Sequence, residues 1–231
     1  MIQQMTWADI EQEHGREVRR ISYADTKPFL LGIHYARRMP CVQYAFGLFE
    51  DGVLCGCVTY GTPASYHLCI GLAGKKNQYN VLELNRLVIL PEYSGENRAS
   101  YLIAHSLKML PNRTFVVSYA DTAWSHVGYV YQATNWLYTG LSAKRTDTYQ
   151  PNGLHPRSYD KNNHSKLHQT RSQKHRYVYL VGNKREKREM RKELLYKIYS
   201  EYPKGDEIRY DPSNPQIVEP IQIIGEDGKA I

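Results

Sequence analysis

Long apolar runs are absent from this chain, and so is any Cys-x-x-Cys pair. No stretch is apolar for long enough to span a bilayer, and residues 1–17 are polar and broken by charge, unlike a secretory leader. These absences predict a soluble, cytoplasmic protein. Cys41, Cys55, Cys57 and Cys69 lie in apolar surroundings without zinc-site spacing, which predicts reduced thiols in a core. Phenylalanine is scarce, with Phe 4 against Tyr 20, and no internal repeat is visible. Acids are outnumbered: 23 Asp and Glu against 30 Lys and Arg leave a net charge of +7, which favours a polyanionic partner but says nothing about fold. At 231 residues the chain can bury one substantial core, so one domain with appended elements is expected rather than two equal domains.

Taken in order, residues 6–21 read as a helix with Thr6 as its N-cap, and a second helix is expected from about 27 to 38, stopped by Pro40. Residues 44–50 and 53–60 flank Asp51-Gly52, a two-residue turn that needs positive φ, and predict a hairpin. Residues 61–80 carry turn residues and few charges and read as a loop over a site. An apolar strand follows from Leu82 and is stopped by Pro91, which cannot donate to a ladder. Ser94-Gly95 then opens a helix in which Ala99, Leu102, Ile103, Ser106, Leu107 and Leu110 recur at three- and four-residue spacing. Residues 115–121 form a short strand ending in the Asp121 carboxylate. Residues 143–174 are polar and short of aliphatics, which predicts a long basic loop. An alternating strand at 175–181 and a basic helix capped by Asn183 and running to about 199 complete a domain over 1–203, and 204–231 read as an extended tail.

The strand, turn and helix over 82–110 leave the first helical N–H groups without intrahelical acceptors, at the positive end of the helix dipole. A phosphate or pyrophosphate can bind there. Leu90-Pro-Glu-Tyr-Ser-Gly-Glu-Asn-Arg-Ala99 resembles the acyl-CoA pyrophosphate loop of GNAT N-acyltransferases, with Gly95 at that pattern's first glycine and Asn97 where a second small residue is usual. Four later motifs extend the likeness: Ser118-Tyr-Ala-Asp121, His126-Val-Gly128, Tyr131-Gln-Ala-Thr-Asn-Trp136 and Leu137-Tyr-Thr-Gly140. With Glu83-Leu-Asn-Arg-Leu87 upstream, residues 29–202 resemble the Mom family of bacteriophage DNA-modification proteins.

That resemblance implies an α+β fold with a GNAT-like mixed central β-sheet flanked by helices and a basic C-terminal extension. It implies an enzyme that converts adenine in double-stranded DNA to an N6-carbamoylmethyl (acetamido) derivative, protecting phage DNA from host restriction in the host cytoplasm. Acyl-CoA (acetyl-CoA) or a related donor and Fe(II) are the implied cofactors. Double-stranded DNA and the donor are the implied partners, no membrane is involved, and a homodimer is left open.

Asp121 closes its strand, where α/β sheets place ligands, and could orient or deprotonate the adenine amine; it could equally cap the following segment. By resemblance, Tyr131 protonates the departing coenzyme A, against a plain reading as a core tyrosine. The His34-Tyr35 pair matches one implicated in the family's activity, and His34, Tyr35, Asp121 and Tyr131 are of types that iron accepts, although no Cys/His spacing demands a metal. Arg86 and Ser100 match functional positions of the family. Arg86 could bind a phosphate or carboxylate or form a salt bridge, and Ser100 could bond the donor or simply pack. Ser94, Gly95, Glu96, Asn97, Arg98 and Ala99, with Arg86, are expected at the donor.

About half of the 30 basic residues lie between 144 and 197. Lys144, Arg145, Arg157, Lys161, Lys166, Arg171 and Lys174 are expected on DNA, where binding releases counterions. Tyr149, Tyr159, Tyr177 and Tyr179 interleave with them, and an enzyme acting on a base must extrude and stack it. The basic helix reads alternatively as a solvated face, with Glu186, Glu189 and Glu193 pairing along it. Two further function classes stay open, a GNAT enzyme acylating a protein or small amine and a non-catalytic nucleic-acid-binding protein of the same fold.

Overall fold

The computed structural model describes residues 15–149, 167–205, 221–225 and 227–230. Asp51 and Gly52 both take positive φ, 48° and 81°, and join β2 (Tyr44–Glu50) to β3 (Val53–Gly61) as the turn chemistry predicts. β1 (Arg16–Arg20) lines the outer edge of β2, and β4 (Val81–Ile89) pairs antiparallel with β3. β5 (Thr114–Asp121) is parallel to β4, with β9 (Lys174–Val181) and β6 (Leu137–Leu141) beyond it, in the order β1-β2-β3-β4-β5-β9-β6. The expected mixed α+β architecture is the one found.

Alternation along β5 sorts the core into two layers. Val116 and Ala120 face a cluster with Leu102, Ile103 and Leu107 of α3 (Arg98–Lys108) and with Tyr131 of α4 (Tyr129–Ala133). Phe115 and Val117 face the other side, with Leu72 of α2 (Tyr66–Asn77) and Met190 of α5 (Lys184–Glu193). Each fully buried aliphatic side chain of α3 contributes about 1.5–3 kcal/mol through lost apolar hydration. Ala99 is only half-buried, and Tyr101 takes the inward position, donating its hydroxyl to the Arg16 carbonyl at 3.2 Å. The Asn183 cap is present as a capping box with Glu186.

Several expectations change. Of the helix expected over 6–21, residues 1–14 lie outside the described residues and Arg16–Arg20 is a strand. The free edge of β2 offers a full ladder there, and Glu50 neutralises the inward Arg16. The second helix is α1 (Tyr23–Lys27), continued as a π-helical turn over Pro28–Ile33. Pro28 cannot donate to the ladder, and the turn closes with His34 N–H on the Phe29 carbonyl at 2.9 Å. His34 itself is extended, with φ −62° and ψ 135°, so the His-Tyr pair follows the helix instead of lying on it.

Residues 61–80 contain α2, where a loop was expected. Leu68, Cys69, Leu72 and Ala73 carry its inward face, and Gly74, at φ 75°, kinks it. α5 ends at Glu193 instead of near 199, because Leu195 N–H turns to the Leu72 carbonyl and Tyr199 N–H to Tyr138. Cys41 is exposed, unlike the other three cysteines. Within the expected basic loop, β7 (Arg145–Thr148) and β8 (His168–Arg171) pair antiparallel, and β10 (Ile223–Ile224) from the expected tail joins them. Among the described residues no helix is long and apolar enough to cross a membrane.

Candidate active site

The parallel ladder between β4 and β5 is short. It runs from Val81↔Phe115 to Glu83↔Val117, while β4 continues with β3 to Ile89 and β5 continues with β9 to Asp121. Past Glu83 the two central strands therefore part. A side chain takes over where the backbone ladder stops: Ser118 Oγ donates to the Leu84 carbonyl at 2.9 Å and is 2.7 Å from the Tyr131 hydroxyl. Tyr131 thus stands at the floor of the cleft, in the core layer of α3.

The register of β4 slips at the same level. Thr59 opposes Arg86 and Tyr60 opposes Leu84, which leaves Asn85 as a bulged residue. Its amide accepts from Thr59 Oγ1 at 2.6 Å and donates to the Cys41 carbonyl at 2.8 Å. Below the bulge Leu82 and Leu84 face the α3 layer; above it Leu87 and Ile89 do, which turns Arg86 and Val88 to the opposite face. That face is covered by Phe29 and Leu30 of the π-helical turn, from which His34 and Tyr35 follow.

Charge and aromatic groups from three elements meet there. His34 is buried, and its Nδ1 accepts the Ala36 N–H at 3.0 Å, so the neutral ring carries its proton on Nε2. Burial, then the charges of Arg86 and His126, push its pKa down to about 3. The Tyr35 ring lies 4.3 Å from that of His34, 5.2 Å from Trp124 and 6.4 Å from His126. Burial, then the Asp121 carboxylate, raise the Tyr35 phenol to about 12. Burial also lowers the pKa of Arg86, against the pull of Tyr35; Arg86 Nη1 donates to the Asn85 carbonyl at 2.5 Å, and its buried Nε has no partner among the described residues.

Asp121 both caps and pairs. Its Oδ1 accepts the Ala123 N–H at 3.1 Å, fixing the turn Thr122–Trp124, and its Oδ2 is bonded to Lys174 Nζ. His126, beside it, is lowered by burial against the attraction of Asp121. The structure brings His34, Tyr35 and Asp121 together with Arg86, which was expected at the donor, while Tyr131, grouped with the first three by resemblance, lies in the other core layer. It adds Trp124, His126, Lys174 and the half-buried Glu83, whose charge reaches Tyr35, Arg86 and Tyr119. A Trp and a His within five residues of a strand-ending Asp were the available signal for two of these.

The β4–α3 connection carries three successive positive φ values, Gly95 118°, Glu96 46° and Asn97 58°, before α3 begins. Gly95 suits that conformation and Asn97 tolerates it, whereas Glu96 does not favour it. Arg98 does not extend from the loop. Its guanidinium binds Glu50 at 2.8 Å and Glu96 at 3.0 Å, and the other Glu50 oxygen binds Arg16 at 2.6 Å. Ser100 Oγ donates to the Asn97 carbonyl at 2.8 Å within the first turn. Ser94 is exposed and Ala99 half-buried beside them.

Of the residues expected on DNA, Arg157, Lys161 and Lys166, like Tyr159, lie outside the described residues. Lys144 and Arg145 are exposed, Arg145 stands opposite Arg171 across the β7–β8 ladder, and Arg171 pairs with Asp147 at 3.2 Å. This ribbon is tied to the site, since the Gln173 carbonyl accepts both Thr122 N–H and Thr122 Oγ1. Tyr177 is fully buried, and the half-buried Tyr179 accepts from Lys187 at 3.1 Å.

The residues proposed for iron do not fit a metal ion as they stand. His34 Nδ1 is occupied by a main-chain N–H, Asp121 by Lys174 and Ala123, and Tyr131 belongs to the opposite layer. Among the described residues no group of three or more His, Cys, Asp or Glu side chains is placed to hold one.

A model of the Mom protein family matches residues 16–204. No curated protein sequence matches the chain. Solved structures similar to it include a GNAT-family acetyltransferase from Bacillus cereus, at 13% identity and TM-score 0.43, covering 73% of this chain and 99% of that one. An N-acetyltransferase from Staphylococcus aureus aligns at 13% identity and TM-score 0.45, covering 72% and 98%. The ribosomal-protein-S18-alanine N-acetyltransferase from Escherichia coli aligns at 9% identity and TM-score 0.44, covering 73% and 95%.

Proposed function

The chain belongs to the Mom protein family, and from that premise we propose that it modifies the exocyclic amine of adenine in double-stranded DNA, producing the N6-carbamoylmethyl derivative that shields phage DNA from host restriction. The observation that carries this reading is the parting of β4 and β5 beyond Glu83 and Val117, with Arg86 and Asp121 on its two walls and His34 and Tyr35 beside them.

Transfer to an amine needs an activated donor, polarisation of its carbonyl, acceptance of a proton from nitrogen and protonation of the leaving group. Asp121, held from two sides, is suited to accept a hydrogen bond from the amine, to orient it and to take the proton that the nitrogen loses as the new bond forms. Arg86 and the Nε2–H of His34 are donors for an oxygen that gains charge. Tyr131, at the cleft floor, is the acid for a departing thiolate. The donor is acyl-CoA or a related activated carbonyl compound, its anionic part lying on the N–H groups of Gly95 to Ala99 at the start of α3. Attack of the amine on an acyl-CoA carbonyl, with the thiolate leaving, gives an N6-acyl adenine. The carbamoylmethyl product has N6 bonded to a methylene carbon and carries a further amide nitrogen, so it requires a second, nitrogen-supplying reactant or a different activated donor, which the mass of the modified nucleoside names. Lys144, Arg145, Arg157, Lys161, Lys166 and Arg171 provide the phosphate contacts, and the domain over 1–203 acts as one unit in this reading.

Nucleoside mass spectrometry of plasmid DNA from cells expressing this chain tests the proposal, beside an Asp121→Ala control. A heavier adenine nucleoside that disappears in the control is expected. Unmodified DNA from cells holding soluble protein overturns the substrate assignment, and acyl-CoA turnover on a protein or small amine would then identify the ordinary acyltransferase instead.

A further inference from the structure

We propose that Trp124 is the surface on which the extruded adenine stacks, an inference that rests on adenine in duplex DNA being the substrate. A base taken out of the helix loses its stacked neighbours, and enzymes that extrude bases replace them with aromatic or apolar side chains. Two of the four tyrosines that the sequence offered for this are engaged elsewhere, and Tyr159 lies outside the described residues. Tyr177 is fully buried in the α3 layer, and Tyr179 packs against that layer with its hydroxyl on Lys187.

Trp124 is placed differently. It ends the turn that Asp121 caps through the Ala123 N–H, so the indole and the carboxylate are fixed by one four-residue unit. Its ring meets Tyr35 at 5.2 Å, Tyr35 meets His34 at 4.3 Å, and His126 stands edge-on to Tyr35 at 6.4 Å. Rings from the segment after the π-helical turn and from the loop after β5 thus form one aromatic wall over the cleft. His34 is buried within it, while Trp124 is half-buried and has the largest π surface of the four. No step of group transfer uses an indole, and an aliphatic side chain would serve as well for packing alone. A purine lying on an aromatic ring keeps its exocyclic amine in its own plane, directed at groups beside the ring. Asp121, three positions away on the same turn, is such a group.

The test compares side chains that keep volume with those that keep a π face. Trp124→Leu and Trp124→Met remove the ring, and Trp124→Phe and Trp124→Tyr retain one; each is assayed for adenine modification of plasmid DNA, for affinity to unmodified duplex and for thermal stability. Base stacking on an aromatic side chain is strong enough that its loss lowers kcat/KM for modification about 10- to 100-fold. That loss is expected in whichever of the two ring-free variants keeps the parent Tm, with duplex affinity within about threefold of the parent and most activity retained by Phe or Tyr. Ring-free variants as active as the parent overturn the stacking role and leave the substrate assignment standing. Equal losses in all four variants overturn it too, since a π face then does not suffice. A parent protein that leaves DNA unmodified overturns the substrate assignment, and this inference with it.

Discussion

Lys174 and Asp121 face each other directly across the β5–β9 ladder, and Lys174 Nζ is bonded to Asp121 Oδ2. The sequence placed Lys174 among the DNA contacts. Register sets it against Asp121, because directly opposed residues bring their Cβ atoms within about 4.5–5.5 Å. The carboxylate side chain is 9% exposed and the lysine 31%, so the pair lies at the boundary of the core.

Lys174→Met is therefore expected to act on turnover and not on DNA affinity. Removing the cation leaves Asp121 with one main-chain donor, and kcat should fall while the Kd for duplex and its salt dependence stay near the parent values. The stability cost should be about 1–2 kcal/mol, discounted from that of a fully buried pair because Lys174 is partly solvated. Steady-state kinetics and urea unfolding measure both. A weaker salt dependence of binding with kcat unchanged would show that Lys174 contacts phosphate after all.

Glu50 is the hub of a second ionic group, between Arg16 and Arg98, with side-chain exposures of 8%, 3% and 14% respectively. Glu50→Ala leaves the two guanidinium groups with only the exposed Glu96 carboxylate between them, 3.5 Å from Arg16 and 3.0 Å from Arg98. Breaking a buried pair in this way costs about 3–5 kcal/mol. Because Arg16 also donates to the Glu96 carbonyl at 3.4 Å, the variant should loosen the turn before α3 as well. A lower urea midpoint together with a raised KM for the donor is expected, and a variant as stable as the parent would remove the hub role.

Elements whose signals are local were legible in the sequence: the Asp51-Gly52 hairpin, the stop at Pro91, the α3 stripe and the Asn183 cap. Where competition with the rest of the chain decided, local reading failed. Arg16–Arg20 became a strand because β2 had an open edge, and α2 escaped notice because Gly71 and Gly74 interrupt its apolar spacing. In the site, Asp121 stands out by its place at the end of a strand, and His34, Tyr35 and Arg86 by resemblance. Lys174 and Trp124 do not, since pairing across a ladder and contact between rings depend on register and on a bulge that no short motif encodes.

His34 gives the site a pH signature. Its pKa is about 3 in the folded chain, below the ordinary value of 6.5, so between those values the unfolded chain binds a proton that the folded one excludes. Stability should accordingly fall as pH drops from 6.5 towards 3, with a slope approaching about 1.4 kcal/mol per pH unit from this one group, and be unaffected by it above neutrality. His34→Gln should flatten the decline, as read from Tm at pH 7.5, 6.0 and 5.0. Parallel profiles for parent and variant would mean that His34 protonates freely when folded.

Asn85 is the residue through which backbone irregularity becomes chemistry. The bulge it occupies reverses the facing of β4, and without that reversal Arg86 would lie in the α3 layer, away from Tyr35 and Asp121. Its amide secures the bulge with two hydrogen bonds, to Thr59 and to the Cys41 carbonyl. Asn85→Ala removes both, at a cost of about 1–3 kcal/mol. Asn85→Asp keeps the acceptor for Thr59 but sets a carboxylate against the Cys41 carbonyl. Both variants should lose turnover while keeping duplex affinity, and Asp should be the less stable of the two if repulsion at Cys41 outweighs the retained bond. Circular dichroism melts paired with nucleoside analysis measure the two effects separately. Full activity in Asn85→Ala would mean that the ladder with β3 holds the bulge unaided, and that Arg86 owes its position to the backbone alone.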